Sequence, residues 1–162
     1  MQPRLYFDDL LELSSLTLAT TSQSGEPHAA TVYFVCDDHL IFYFLSMPNS
    51  QHICDLATNP FAAITLDLAT PRWQDIRGLQ VRGRVREITS STQKTVAWLR
   101  FLGKFPYVKD LELEVLKNRW YAFSPMWMRL IDNRVKLGYK QEWAGDELLR
   151  LIDEYKVPTH MK

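Results

Sequence analysis

The sequence predicts a mainly β fold with peripheral helices, a small barrel in one domain spanning residues 1–162. Three observations carry that prediction. The stretch Trp73 to Ile88, WQDIRGLQVRGRVREI, sets Leu79, Val81, Gly83 and Val85 against Gln80, Arg82, Arg84 and Arg86, because successive strand side chains point to opposite faces. Two runs, AATVYFVC from Ala29 and LIFYFL from Leu40, are apolar on both faces and are joined by Asp37-Asp38-His39. No repeat, linker or low-complexity tract divides the chain, and its length suffices for a core without disulfides or a structural metal.

Taken in order, the chain opens with a short amphipathic helix in which Leu5, Leu10, Leu11 and Leu13 face the body while Asp8, Asp9 and Glu12 face water. Ser15 to Thr21 reads as a strand. Ser22-Gln23-Ser24-Gly25-Glu26 is a hairpin turn with glycine available for positive φ, and His28 to Cys36 is the partner strand. Ala30, Val32 and Phe34 lie on one of its faces and Thr31, Tyr33 and Val35 on the other. A third strand runs from Leu40 to Ser46. An antiparallel hairpin is ordinarily wet on one side. This one calls for a cover on both, the barrel core within and a subunit, a ring-shaped ligand or both without.

Asn49-Ser50 are good N-cap residues for a short helix of Gln51 to Ala57, which ends before Thr58-Asn59-Pro60. Phe61 to Ala69 returns to strand and the alternating strand follows. Ser90 and Gln93 fit a capping box for a helix in which Val96, Leu99 and Leu102 form the apolar face up to Gly103. Pro106 to Asn118 mixes both periods and takes no assignment. Arg119 to Phe123 and Met126 to Asp132 read as strands interrupted at Ser124-Pro125, where proline argues for an edge or a bulge. Asp146 begins a last helix with Leu148, Leu151, Ile152 and Tyr155 on one side.

Composition excludes several functions. Lys plus Arg is 19 and Asp plus Glu is 19, so there is no global attraction to nucleic acid or to an anionic membrane. Any anion site is therefore local. Small barrels with basic and aromatic side chains can bind single strands, but the aromatics here sit in continuous apolar strands. The N-terminus lacks the pattern of a signal peptide and no apolar run is long enough to span a bilayer, which predicts a cytoplasmic protein. Cys36 and Cys54 read as small buried hydrophobes. His28, His39, His52 and His160 show no metal-ligand spacing, Gly78 and Gly83 lack the Lys-Ser/Thr of a phosphate loop, and no G-x-S-x-G turn exists. Asp67 and Asp75 form a catalytic pair only by tertiary accident.

The order of parts, hairpin, Phe44-Leu45-Ser46, Ser50-Gln51-His52, Asn59-Pro60 and GLQVRGRVREI, resembles the FMN-binding split-barrel family of pyridoxamine 5′-phosphate oxidases and relatives. Leu16 to Ile88 carries most of the likeness; Lys104-Phe105-Pro106, Asp132-Asn133, Leu137-Gly138 and Trp143 are similar to a small bacterial branch. The resemblance implies a split β-barrel, a homodimer and two flavins at its interface. It also implies that Ala30, Thr31, Val32 and Tyr33 run along the flavin ring, that Leu45 and Ser46 contact the cofactor, that Ser50, Gln51 and His52 hold its phosphate, and that Gln80 points to the ring's polar edge. The family usually has Arg or Lys at the positions of Gln51 and His52, so Arg82, Arg84 or Arg72 is left as the phosphate cation. The family's flanking arginine and lysine around Ala30 to Val35, and its C-terminal vitamin-phosphate signature, are absent. Vitamin B6 oxidation is therefore not expected. What remains is an FMN-dependent redox protein of unknown substrate with no identifiable catalytic acid or base and no metal. The alternatives are a non-enzymatic flavin or haem binding or sensing module, or a deazaflavin-dependent reductase.

Overall fold

The computed structural model describes residues 4–111, 114–115 and 117–156, with side chains from Phe7 onward. Its elements are α1 (Arg4–Leu11), β1 (Ser15–Thr21), β2 (Pro27–Cys36), β3 (Phe42–Ser46), α2 (Gln51–Thr58), β4 (Phe61–Asp67), β5 (Arg77–Glu87), α3 (Ser91–Lys104), β6 (Arg119–Asp132), β7 (Lys140–Ala144) and α4 (Gly145–Lys156), with single 3-10 turns at Trp73–Asp75 and Pro106–Leu111. Strands pair antiparallel in the order β3-β2-β1-β4-β5-β6-β7, and β3 also pairs with β6. That last pairing closes six strands into a barrel. The seventh continues the sheet outside it, because β6 gives its first half to β3 and its second half to β7.

Alternation on β5 holds as read: Leu79, Val81, Gly83 and Val85 point into the barrel and Gln80, Arg82, Arg84 and Arg86 point out. Trp73 lies before the strand, in the 3-10 turn. Phe34, Phe42, Phe44 and Phe123 fill the interior with Leu18, Ile64 and Leu130. The first helix adds Phe7, Leu10 and Leu11, and the last adds Leu148, Leu151 and Tyr155. Fully burying one such side chain contributes about 1.5–3 kcal/mol, so these thirteen side chains dominate the fold. Phe7 packs edge-on to Trp143 and flat on Tyr155. Leu13 packs on the core just beyond α1, whereas the side chain of Leu5 lies outside the described residues, as does His160.

Several expectations are corrected. Asp9 is not merely solvated: it pairs with the buried Arg77, which also donates to Asp132 at 3.0 Å, tying α1 to the barrel end. Strand β4 stops at Asp67, and β3 starts at Phe42 because the Asp37 carboxylate accepts from the N–H groups of His39 and Ile41 and holds Leu40 at φ 56. In α3 the buried side chains are Ala97 and Phe101, while Val96 and Leu99 are 44% and 60% exposed. The Ser90 hydroxyl does accept from Gln93 N–H, but the Gln93 side chain turns to Arg86 instead of closing the box. Cys54 is exposed rather than buried.

The two halves expected around Ser124-Pro125 form one strand with a bulge, where the register with β5 shifts between Arg82 and Gly83. One extra residue reverses the parity of everything beyond it. Phe123 and Met128 both point inward as a result, and Trp127 points outward. Gly83 permits this: a Cβ there would collide with the Ser124 carbonyl oxygen and stand 2.8 Å from the Phe123 ring.

Candidate functional site

Strand registers place two rows of side chains across the outer face of the barrel. One reads Thr31, Thr17, Thr65, Gln80, Arg129, Glu142 and the next reads Ala29, Ala19, Ala63, Arg82, Trp127, Ala144. Over β2, β1 and β4 the rows hold only Thr and Ala, so the sheet presents a smooth strip two strand spacings wide, about 10 Å. Thr31, Ala29 and Ala19 are exposed. Such a floor admits a flat ring or another flat surface, because no side chain rises from it.

The strip has two unlike borders. On the β2 side, pairing with β3 covers only Phe34 to Cys36, so among the described residues no strand lies on the outer edge of Pro27 to Tyr33, an edge that presents backbone donors and acceptors. The end of β3 and the start of α2 adjoin this edge. There His52 Nε2 lies 2.8 Å from Ser46 Oγ and 3.2 Å from Ser50 Oγ, and the Ser50 hydroxyl donates to the Met47 carbonyl. Ser50 thus stands at the N-cap position without making a side-chain cap, and while Ile53 and Cys54 donate to its carbonyl, the N–H groups of Gln51 and His52 have no intrahelical acceptor. Burial lowers the His52 pKa from its ordinary value, and the charge of Asp55 opposes this only in part.

Asp55 pins α2 to the β1–β2 hairpin. Its buried carboxylate accepts from Thr20 at 2.7 Å and Gln51 at 2.9 Å, and lies 2.8 Å from His28 Nδ1. The Thr20 hydroxyl foremost, then Gln51 and His28, hold its pKa below the ordinary carboxylate value against the opposing effect of burial.

The opposite border is cationic and aromatic. The Arg82 guanidinium sits 4.1 Å from the Trp127 ring centre and that of Arg129 sits 4.7 Å from it. Glu142 accepts from Arg129 Nε at 2.8 Å and from Trp127 Nε1 at 3.3 Å, while Arg129 also donates to Gln80. A cleft of about 500 Å³ runs along this border between Phe61, Met126, Trp127 and Ala63.

A family model described as pyridoxamine 5′-phosphate oxidase matches residues 7–119. The chain belongs to that family. Its curated relatives include the pyridoxine/pyridoxamine 5′-phosphate oxidases of Ectopseudomonas mendocina, 30% identical over 108 residues, and of Pseudomonas entomophila, 30% identical over 94. These alignments cover 62% and 57% of this chain but 48% and 41% of those enzymes, so the chain spans about half the length of the curated relatives it matches. Among solved structures, a haem-binding protein from Mycobacterium smegmatis superposes with a TM-score of 0.73 at 14% identity, covering 92% of this chain and 59% of that one. The haem storage protein HutZ of Vibrio cholerae gives 0.66 at 15%, covering 77% and 91%. General Stress Protein 26 of Bacillus anthracis gives 0.61 at 21%, covering 81% and 95%. These establish the split-barrel fold.

Within the oxidase-family barrel, the residues picked out by resemblance fall into two groups. Ser46, Ser50 and His52 come together at the β3–α2 junction, and Thr31 and Tyr33 face outward beside it. Gln51 is drawn inward to Asp55. Ala30 and Val32 point toward the barrel interior, so only their backbone is available on the open edge. Leu45 packs under α3. Gln80 and Arg82 lie three strands away from β2 on the other border, about 14 Å across the sheet. Arg72 is occupied by Asp75. Trp127 and Arg129, the most prominent side chains of that border, escaped sequence reasoning because the bulge decides their face. The proline at Pro125 was the available signal.

Proposed function

We propose that the chain is a homodimeric FMN-binding oxidoreductase whose cofactor lies on the Thr/Ala strip. The observation that carries this reading is the flat strip leading directly to the open edge of β2 and the hydroxyl and imidazole cluster of Ser46, Ser50 and His52. A flavin needs an apolar floor for its ring, directed hydrogen bonds at its polar edge and donors for its phosphate. The strip offers the floor, the backbone of β2 the edge bonds, and the first N–H groups of α2 the phosphate donors, with His52 beside them and the Ser50 hydroxyl available once it turns from the Met47 carbonyl. When bound, the flavin supplies hydride or electron transfer; the protein orients it and excludes water. A second copy laid across the strip covers what one chain leaves open, since Thr31, Ala29 and Ala19 are exposed here. The substrate class of the longer relatives does not transfer, because the vitamin-phosphate signature is absent.

A haem reading is the second candidate, favoured by one feature. His52 is turned to Ser46 and Ser50 and His28 to Asp55, while the Tyr33 phenol, 53% exposed and hydrogen-bonded to the Tyr107 side chain, is an outward group of axial-ligand type beside the strip. A deazaflavin would occupy the same strip as FMN. The absorbance spectrum of the purified protein discriminates: a dithionite-bleachable flavin spectrum, with FMN released on heating, supports the proposal. A Soret band, or a colourless protein that gains no flavin fluorescence change on FMN addition, overturns it.

A further inference from the structure

We propose that Arg82 and Arg84 form a subsite for the carboxylate or phosphate of a small organic anion, the molecule on which the bound cofactor acts. The role as substrate site rests on the flavin reading; the anion subsite itself does not. Of the three exposed arginines in the outward row of β5, Arg86 donates to the Gln93 side chain, and the charge pattern of the outer face sets the other two apart. Arg129 pairs with Glu142, Arg119 with Glu87, Arg72 with Asp75 and Arg134 with Asp132. Arg82 and Arg84, two residues apart and exposed on the same face of β5, have no carboxylate partner among the described residues. Their cross-strand neighbours are Ala63 and Trp127 for the first and Phe61 and Ser124 for the second. No acidic side chain lines the adjoining cleft, whose walls include Phe61, Met126 and Trp127.

Arg82 is also held in place without being used up. Its contact with the Trp127 ring, 4.1 Å from guanidinium carbon to ring centre, uses no N–H donor, and a guanidinium fork suits a planar or tetrahedral oxyanion. Trp127 is fixed in turn by its bond to Glu142. The bulge opposite Gly83 lies between the two arginines and sets Met126, 56% exposed, against the cleft. Bulges re-aim side chains in this way beside binding sites. The pair lies on β5, three strands from β2, on the far border of the strip from the open β2 edge. It therefore marks a second anion position next to the same strip.

The test uses the full chain as purified, titrated with inorganic phosphate and with acetate at constant ionic strength. Tryptophan emission is the readout, and Trp127→Phe identifies the responding ring. Saturable binding is expected, weakened at least tenfold in the double variant Arg82→Gln/Arg84→Gln. Arg150→Gln, a helix-surface cation of α4, should leave it unchanged. Preference for phosphate or for acetate names the group recognised. Equal affinity in wild type and double variant overturns the subsite. So does conversion of the double variant to a monomer by light scattering, which would give the pair to carboxylates of a second copy. Loss of FMN affinity with riboflavin affinity retained would assign the pair to the cofactor phosphate and overturns it too. Arginine-dependent anion binding in a protein that takes up no flavin keeps the subsite and removes the flavin reading.

Discussion

The outer face of the β2–β3 hairpin has two halves with opposite solutions to the same problem. Beyond Tyr33 the outward side chains are large, Val35, Tyr43 and Leu45, and the chain covers them itself with Ala97 and Phe101 of α3, Phe105 and Val108. Before Tyr33 they are small, Thr31 and Ala29, and no element of the described chain lies over them. Large side chains mark a surface whose cover is built in. Small ones at successive registers of three strands leave a low surface, the one to which we assign the cofactor. The expectation of an external cover for the whole hairpin is thus half corrected: α3 removes the need at one end and leaves it at the other.

The covered half should be the more sensitive to truncation. Phe101→Ala removes a ring that packs on Phe105 and Trp120 and should cost about 4 kcal/mol in urea denaturation, whether or not cofactor is present. Val96→Ala and Leu99→Ala, on the solvent side of the same helix, should cost under about 0.5 kcal/mol. Similar losses at all three positions would mean that α3 is not docked by the face described.

At the cationic border of the open half, Gly83→Ala should cost about 3 kcal/mol, because the new methyl has backbone on one side and a core ring on the other. If the variant folds, the shifted bulge should also move Trp127 and change its emission. A near-neutral result would show that the bulge relaxes freely and does not fix that border.

Two buried carboxylates bear on the acid limit, Asp55 beneath the β1–β2 hairpin and Asp132 at the end of β6 beside Arg77. Burial alone would raise Asp132, but Arg134, by hydrogen bonds and charge, and then Arg77 hold it below the ordinary value; Asp55 is likewise held down, foremost by Thr20. Folded values below the unfolded value of about 3.9 give stability that is fully present above that pH and lost as pH falls through the folded values. Asp55→Asn should therefore destabilise the protein at pH 7 and flatten the loss below about pH 4. An unchanged acid limb would locate the sensitive carboxylates elsewhere.

Much of this was legible in the sequence and the exceptions have causes. Period-two alternation fixed both faces of β5, and apolarity on both faces of β3 correctly demanded two covers. The face of α3 was misread because Val96, Leu99 and Leu102 look like a better stripe than Ala97 and Phe101. Under a helix that approaches Tyr43 and Trp120 closely, a small residue and one large ring fit where a row of branched side chains would not. The burial that lowers the His52 pKa and the partnership of Thr20, Gln51 and His28 around Asp55 depend on tertiary contacts that no local spacing encodes.

The central claim is that the Thr/Ala strip is the surface a flat cofactor covers, and Ala19→Trp tests it most directly. Ala19 is exposed on the outer face between Ala29 and Ala63, so an indole there obstructs the strip without entering the barrel. FMN titration followed by flavin fluorescence should saturate with wild type and fail with Ala19→Trp, at an apoprotein stability within about 0.5 kcal/mol of wild type. Equal FMN affinity in the two proteins would contradict the account and place the cofactor off the strip.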